Sequence, residues 1–285
     1  MARAIERIER DIAALKEAIR AITVELQRVY ASYLNTLGSA VRKQLILASY
    51  HLCTQGYPEN FLHLSLTQRQ QLQQAVRKLG QVAAEQLLNC IKSEEAEVDK
   101  GDDEDVALAS RRVGNKEVTS SELLDTSNFQ PLSADTSNPI ELAKWQQNLE
   151  EVTQEILKKL SHDANLLLQK SGVLPKKLPE PILAAAAAAA SEASAEAMPG
   201  PPNLLNLVIE IENEQQSEDS GLTQIMAINL RLGEIEFADV ALSSERRQIR
   251  SILVQLNKLG REYQKKHREK AIAEAEAAWR ASWFE

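Results

Sequence analysis

Nine apolar positions, Ile5, Ile8, Ile12, Leu15, Ile19, Ile22, Leu26, Val29 and Tyr33, follow one another at alternating steps of three and four. That spacing places all nine on the a and d seam of a heptad repeat, so it predicts one continuous helix carrying a stripe that must be buried. Mostly Glu, Arg, Lys and Ala fill the intervening positions, and neither Pro nor Gly interrupts the run before Gly38. Two ways of burying the stripe are open: inside the chain's own domain, or against another chain. The first thirty residues have no equally long apolar segment beside them, which favours pairing between chains. A homo-oligomer, or a helical protein partner, through residues 5–33 is therefore the expectation.

From Tyr33 the stripe broadens through Leu34, Leu37, Val41, Leu45, Ile46, Leu47, Tyr50, Leu52 and Cys53, the mark of a helix entering a bundle. Gly56 and Pro58 stop it, and Ser65 with Gln68 three residues on forms a capping box that starts a second helix over about 66–92. Leu72, Val76, Leu79, Val82, Ala83, Leu87 and Ile91 let this helix fold back on the first as an αα-hairpin. Asn138 and Pro139 supply an N-cap and N1 pair for a third helix, whose Leu142, Trp145, Leu149, Val152 and Ile156 keep the same spacing and continue less regularly through Leu160, Ala164 and Leu167 to Gly172 and Pro175. Trp145 at that spacing reads as core.

Composition agrees with these helices. Of 285 residues only 4% are aromatic, and the apolar content comes from helix formers rather than β-branched and aromatic residues. The fold class read from the chain is all-α: elongated, with a long N-terminal coiled-coil helix, an αα-hairpin and a long C-terminal helix. The net charge of −8 is concentrated between residues 93 and 139, where twelve acids meet four bases. Low hydrophobicity with excess charge predicts a disordered acidic insert over 93–138, a tether whose Ser and Thr residues beside acids are phosphorylation candidates. The rest of the chain is close to neutral, which argues against a nucleic-acid binder.

Residues 173–203 read as a spacer, with the run Ala184 to Ala190 bracketed by Pro175, Pro179 and Pro181 on one side and Pro199, Pro201 and Pro202 on the other. The segment 204–237 is ambiguous. Leu207, Ile209 and Ile211 alternate, as do Ile228, Leu230 and Leu232, which fits a β-hairpin; Ile225, Ile228, Leu232 and Ile235 fit one helical face, and no tight turn dipeptide is present, so helix is favoured. A final helix is expected from Ser243 or Ser244 almost to the end. The chain thus divides into 1–92, 93–138, 139–172, 173–203 and a C-terminal helical module with an aromatic tail, 204–285.

That last helix carries Lys258, Arg261, Lys265, Lys266, Arg268 and Lys270, then Trp279, Trp283 and Phe284. Indoles anchor protein interfaces and also settle at membrane interfaces. Trp279, Trp283 and Phe284 are therefore candidate anchors for a protein client, with a membrane surface as the alternative because of the basic stretch, and docking on the chain's own bundle as the plainest reading. Glu274, Glu276 and Glu285 weigh against anionic lipid.

The search for chemistry is negative. No Walker A loop, dinucleotide glycine fingerprint, His-Glu-x-x-His, nucleophile elbow or Cys-x-x-Cys pair occurs, and no Glu-x-x-His pair supports a di-iron bundle. His51 and Cys53 lie two apart on a helix and point in different directions, which disfavours a metal site with His63 and Cys90. No enzyme, cofactor or metal is expected. With no apolar leader, no span of 18 apolar residues and no Asn-x-Ser/Thr, Cys53 and Cys90 read as reduced thiols of a cytoplasmic protein. The stretches AVRKQLILASYHLCTQGYPENFL (40–62) and AEAAWRASWFE (275–285) resemble an uncharacterised family of helical cyanobacterial proteins. The resemblance implies a bacterial cytoplasmic setting, with photosynthetic machinery among the clients to consider, and no assigned activity. The whole reading is a non-enzymatic helical scaffold or adaptor.

Overall fold

A computed structural model describes residues 2–92, 138–175, 201–211 and 221–283. The acidic insert at 93–137, the alanine-rich part of the spacer at 176–200 and Phe284 lie outside the described residues. The all-α class holds, with a two-stranded sheet added among the described residues.

Helix α1 runs over Ala2–His51, 50 residues and so about 75 Å of helix. It passes into a π-helical turn at Leu52–Gly56, closed by the Tyr57 amide donating to the Leu52 carbonyl at 2.9 Å. A short helix, α2 (Pro58–His63), leads to Ser65, whose Oγ accepts from the Gln68 amide at 3.3 Å. The Gln68 side chain in turn accepts from the Ser65 amide at 2.8 Å, completing the capping box that opens α3 (Leu66–Lys92). α3 returns along α1 with Gly38 facing Ala84 and Gly80 facing Arg42; a Cβ on Gly38 would lie only 3.0 Å from that of Ala84, so the two helices close through this glycine.

α4 (Pro139–Lys170) starts as expected, with the Asn138 side chain accepting from the Ile140 amide at 3.1 Å. It ends at Gly172 in the left-handed conformation (φ 86°), where the Val173 amide reaches back to the Leu168 carbonyl at 3.0 Å.

The segment after the spacer corrects the helical expectation for 204–237. β1 (Leu204–Ile211) pairs antiparallel with β2 (Gly221–Ile228), Leu204 opposite Ile228 and Ile211 opposite Gly221, and only Leu232–Ala238 is helical, as α5. The reason lies in distant side chains that satisfy the outer edge of β2. Asn165 donates to the Ile228 carbonyl at 2.9 Å and accepts its amide at 2.8 Å. The Tyr57 hydroxyl accepts the Met226 amide at 3.1 Å, and Ser161 Oγ accepts the Leu230 amide at 2.9 Å. Edge groups that would otherwise be unpaired thus find partners on α4 and beside α2, which a local helix could not match. Asn203, buried and at φ 60°, secures the base of the hairpin by accepting from the Arg231 amide at 3.0 Å.

α6 (Val240–Ser282) begins earlier than Ser243 because Asp239 is its cap: Asp239 Oδ1 accepts from the amides of Ala241 and Leu242 at 2.9 and 3.3 Å. Ser243 instead lies in the first turn, and its hydroxyl donates to the Glu236 carbonyl at 2.6 Å. α1, α3, α4 and α6 close a four-helix ring. Its core includes Leu26, Tyr30, Leu34, Leu37, Leu87, Leu142, Leu149, Ile156, Ile249 and Leu256. Each fully buried leucine or isoleucine contributes about 1.5–3 kcal/mol.

Candidate functional site

The ring does not extend the full length of its two longest helices. Pro139, the first residue of α4, rests on Gly260 of α6, 3.4 Å from where a Cβ would stand, and α3 has ended by Lys92. Beyond that level, among the described residues, the second half of α6 runs alongside the beginning of α1. The two are antiparallel, as the pairs Lys266–Asp11 at 3.2 Å and Lys270–Glu9 at 2.8 Å show. The described residues form a four-helix body with a two-helix stalk.

This geometry places the seam residues. Ile12, Ile19, Ile22, Leu26 and Val29 are buried, Ile19 and Leu26 completely, with α6 of the same chain packed along α1. Ile5, Ile8 and Leu15 are only half-buried. The facing helix changes along the stalk. The seam of α6 repeats at Ile249, Ile252, Leu256, Leu259, Tyr263, Lys266, Lys270, Ala273 and Ala277, so its apolar side chains give way to two lysines and two alanines along the stalk. Lys266 is shared between Asp11 and Glu269, Lys270 between Glu9 and Glu274, and these carboxylates hold both ammonium groups above the ordinary lysine pKa. Charged pairs at seam positions fix register while providing little apolar cover.

Trp279 and Trp283 stand at the end of the stalk. Their rings lie 5.6 Å apart at 39°, each is 65% exposed, and neither docks on the body. Phe284 falls outside the described residues. Trp145 is in the core, edge-on to Tyr30 at 5.5 Å.

A second constellation escaped the sequence. Arg246, on α6, is gripped by Glu150 of α4 (Nη1 to Oε1 2.5 Å, Nη2 to Oε2 3.0 Å) and by Glu236 of α5 (Nε to Oε1 2.7 Å). Tyr33 donates to Glu236 at 2.5 Å and accepts from Arg246 Nη2 at 2.7 Å, while the guanidinium sits 4.6 Å from the Tyr33 ring centroid. Tyr30 donates to Glu150 at 2.8 Å. Burial is the main reason both phenols are held protonated far above their usual range. The Glu150 charge adds to the shift at Tyr30; at Tyr33 Arg246 opposes it and the bond to Glu236 supports it. Burial would lower the Arg246 pKa, but its bonds to Glu150 and the charges around it raise it overall. An open depression of about 450 Å³ adjoins the cluster, bounded by Gln146, Gln154, Gly233 and Arg250 among others. Every donor of Arg246 that faces the cluster is already taken, so the arrangement ties α1, α4, α5 and α6 together and presents no free acid–base pair. The available signal was two tyrosines, residues 30 and 33, on a stripe that their hydroxyls could not enter without polar partners.

Cys53 and Cys90 are free and buried, and burial pushes each thiol up to about 11. Among the described residues no group of three or more His, Cys, Asp or Glu side chains is arranged to hold a metal, and no helix is long and apolar enough to cross a membrane. Comparison with protein-family models, curated proteins and solved structures gives no match.

Proposed function

We propose that the chain is a non-enzymatic helical scaffold or adaptor of the cytoplasm, one that binds a protein through its stalk. The half-covered seam carries this reading: Ile5 and Ile8 are only half-buried in the stretch where α6 presents Lys270 and then Ala273 in place of large apolar side chains, a gap that an apolar partner would close. A further helix, from a second copy or from a different protein, supplies what α6 lacks there, and a homo-oligomer is the simplest form of that pairing. Trp279 and Trp283, at the same end, are a second docking element, so two surfaces on one rigid pair of helices raise the local concentration of one partner near another.

Light scattering coupled to size-exclusion chromatography tests it, comparing the full chain with Ile5→Asp/Ile8→Asp. These positions are outside the four-helix body, so the variant retains its fold. The expected result is an oligomer that becomes monomeric in the variant. A full chain that is monomeric at every concentration, and that gains no mass from any helical protein, overturns the proposal.

A further inference from the structure

The outward side of α6 is as patterned as its seam. Positions seven apart form columns along a supercoiled helix, and the two columns facing away from the seam are Val240, Arg247, Val254, Arg261, Arg268, Ala275, Ser282 and, beside it, Ser244, Ser251, Lys258, Lys265, Ile272, Trp279. All of these residues are exposed. Such outward columns are ordinarily polar throughout. Here they hold every large apolar residue that α6 exposes except Trp283, which stacks on Trp279: Val240 at 81%, Val254 at 68%, Ile272 at 51% and Trp279 at 65%. Between them stand five cations that take part in no ion pair among the described residues. Three acids border the stripe: Glu269 is paired off it with Lys266 and Glu276 with Arg280, while Glu262, exposed beside Arg261 and Lys265, takes part in no ion pair among the described residues and leaves the face five cations to one such acid.

We infer that this face of α6 lies on an anionic lipid surface. A straight helical face that interleaves cations with large apolar side chains and ends in indoles has the composition of an interfacial helix, its bases at the headgroups and its tryptophans at the acyl boundary. A nucleic-acid backbone would match the five cations but leave Val254, Ile272 and the indole pair without a use. An acidic protein partner would likewise leave that line of outward apolar groups, about 60 Å from Val240 to Trp279, without cover. Lipid accounts for both. The inference rests on Trp279 and Trp283 being a docking element and names what they dock on; it does not depend on the stalk seam.

Flotation of the full chain with vesicles of phosphatidylcholine alone, and of phosphatidylcholine mixed with phosphatidylglycerol, tests the inference at low and high salt. Binding to the mixed vesicles only, reduced by salt, is expected. Arg261→Glu/Lys265→Glu/Arg268→Glu alters exposed side chains, so the fold is retained, and at about fivefold for each base near the surface it should weaken partition by about a hundredfold or more. Because Trp145 is buried, a blue shift of the fluorescence on vesicle addition reports Trp279 and Trp283, and it should vanish in Trp279→Phe/Trp283→Phe. No flotation, equal flotation on neutral vesicles, or binding unchanged by the charge reversal overturns the assignment. So does retention by duplex DNA with no vesicle binding. An oligomer that persists in the charge-reversed chain leaves the scaffold proposal standing when the lipid assignment fails.

Discussion

Arg246 shows what one buried charge does in this chain. Its side chain is 12% exposed, and it neutralises Glu150 and Glu236, which are nearly as enclosed. Removing one partner of such a cluster leaves the others charged and unsatisfied, a cost of about 3–5 kcal/mol. Arg246→Ala should therefore lower the free energy of unfolding by that amount, read as a fall in the urea midpoint. Arg246→Lys should recover only part of it, since an ammonium cannot bond Glu150 and Glu236 in the fork that the guanidinium provides. Equal midpoints for wild type and Arg246→Ala would mean that the cluster contributes nothing to holding α4, α5 and α6 together.

At the scale of elements, the α1–α3 contact is set by backbone proximity. At Gly38 any side chain meets Ala84 Cβ at 3.0 Å and its Cα at 3.2 Å, atoms that no rotamer change can move. Gly38→Val should destabilise the protein by about 1–3 kcal/mol through overpacking. Gly233, in α5, has nothing within 4 Å of where a Cβ would stand, so Gly233→Ala should stabilise by up to about 1 kcal/mol through helix propensity alone. Thermal unfolding of the two variants separates them, and a destabilised Gly233→Ala would contradict the open environment at that position.

For the whole molecule, the titrating groups that the fold perturbs at high pH all shift the same way. Cys53 and Cys90 move from 9 to about 11, and Tyr30, Tyr33 and Tyr57 are raised chiefly by burial. A group with a raised folded pKa holds its proton in the native chain after the unfolded chain has lost it. The stability it contributes is complete below the unfolded pKa and is lost as pH rises through the folded value. Global stability should then be level up to about pH 9 and fall steadily above it, read from urea midpoints across the alkaline range. A midpoint that rises above pH 9 would contradict the burial of these thiols and phenols.

Much of the local chemistry was legible in the sequence, although the Asp239 cap that starts α6 ahead of Ser243 was not read. The seam from Ile5 to Tyr33, the Ser65–Gln68 capping box, the Asn138–Pro139 start and the Gly172 stop all depend on residues within a turn or two of one another, and each forms where its spacing implies. The heptad repeat likewise showed that a long stripe had to be buried. Only the tertiary structure decided that α6 of the same chain covers most of it, because the complementary seam lies more than two hundred residues away and weakens to lysine and alanine along the stalk. The same distance hid the hairpin. The alternation in 204–228 was visible, but the groups that favour strand over helix there are Tyr57, Ser161 and Asn165, side chains with no local relation to the strand they satisfy. The outward columns of α6 were present in the sequence as a second seven-residue period. They acquired meaning only once α1 had taken the opposite face, since an amphipathic helix does not by itself reveal which of its sides remains in water.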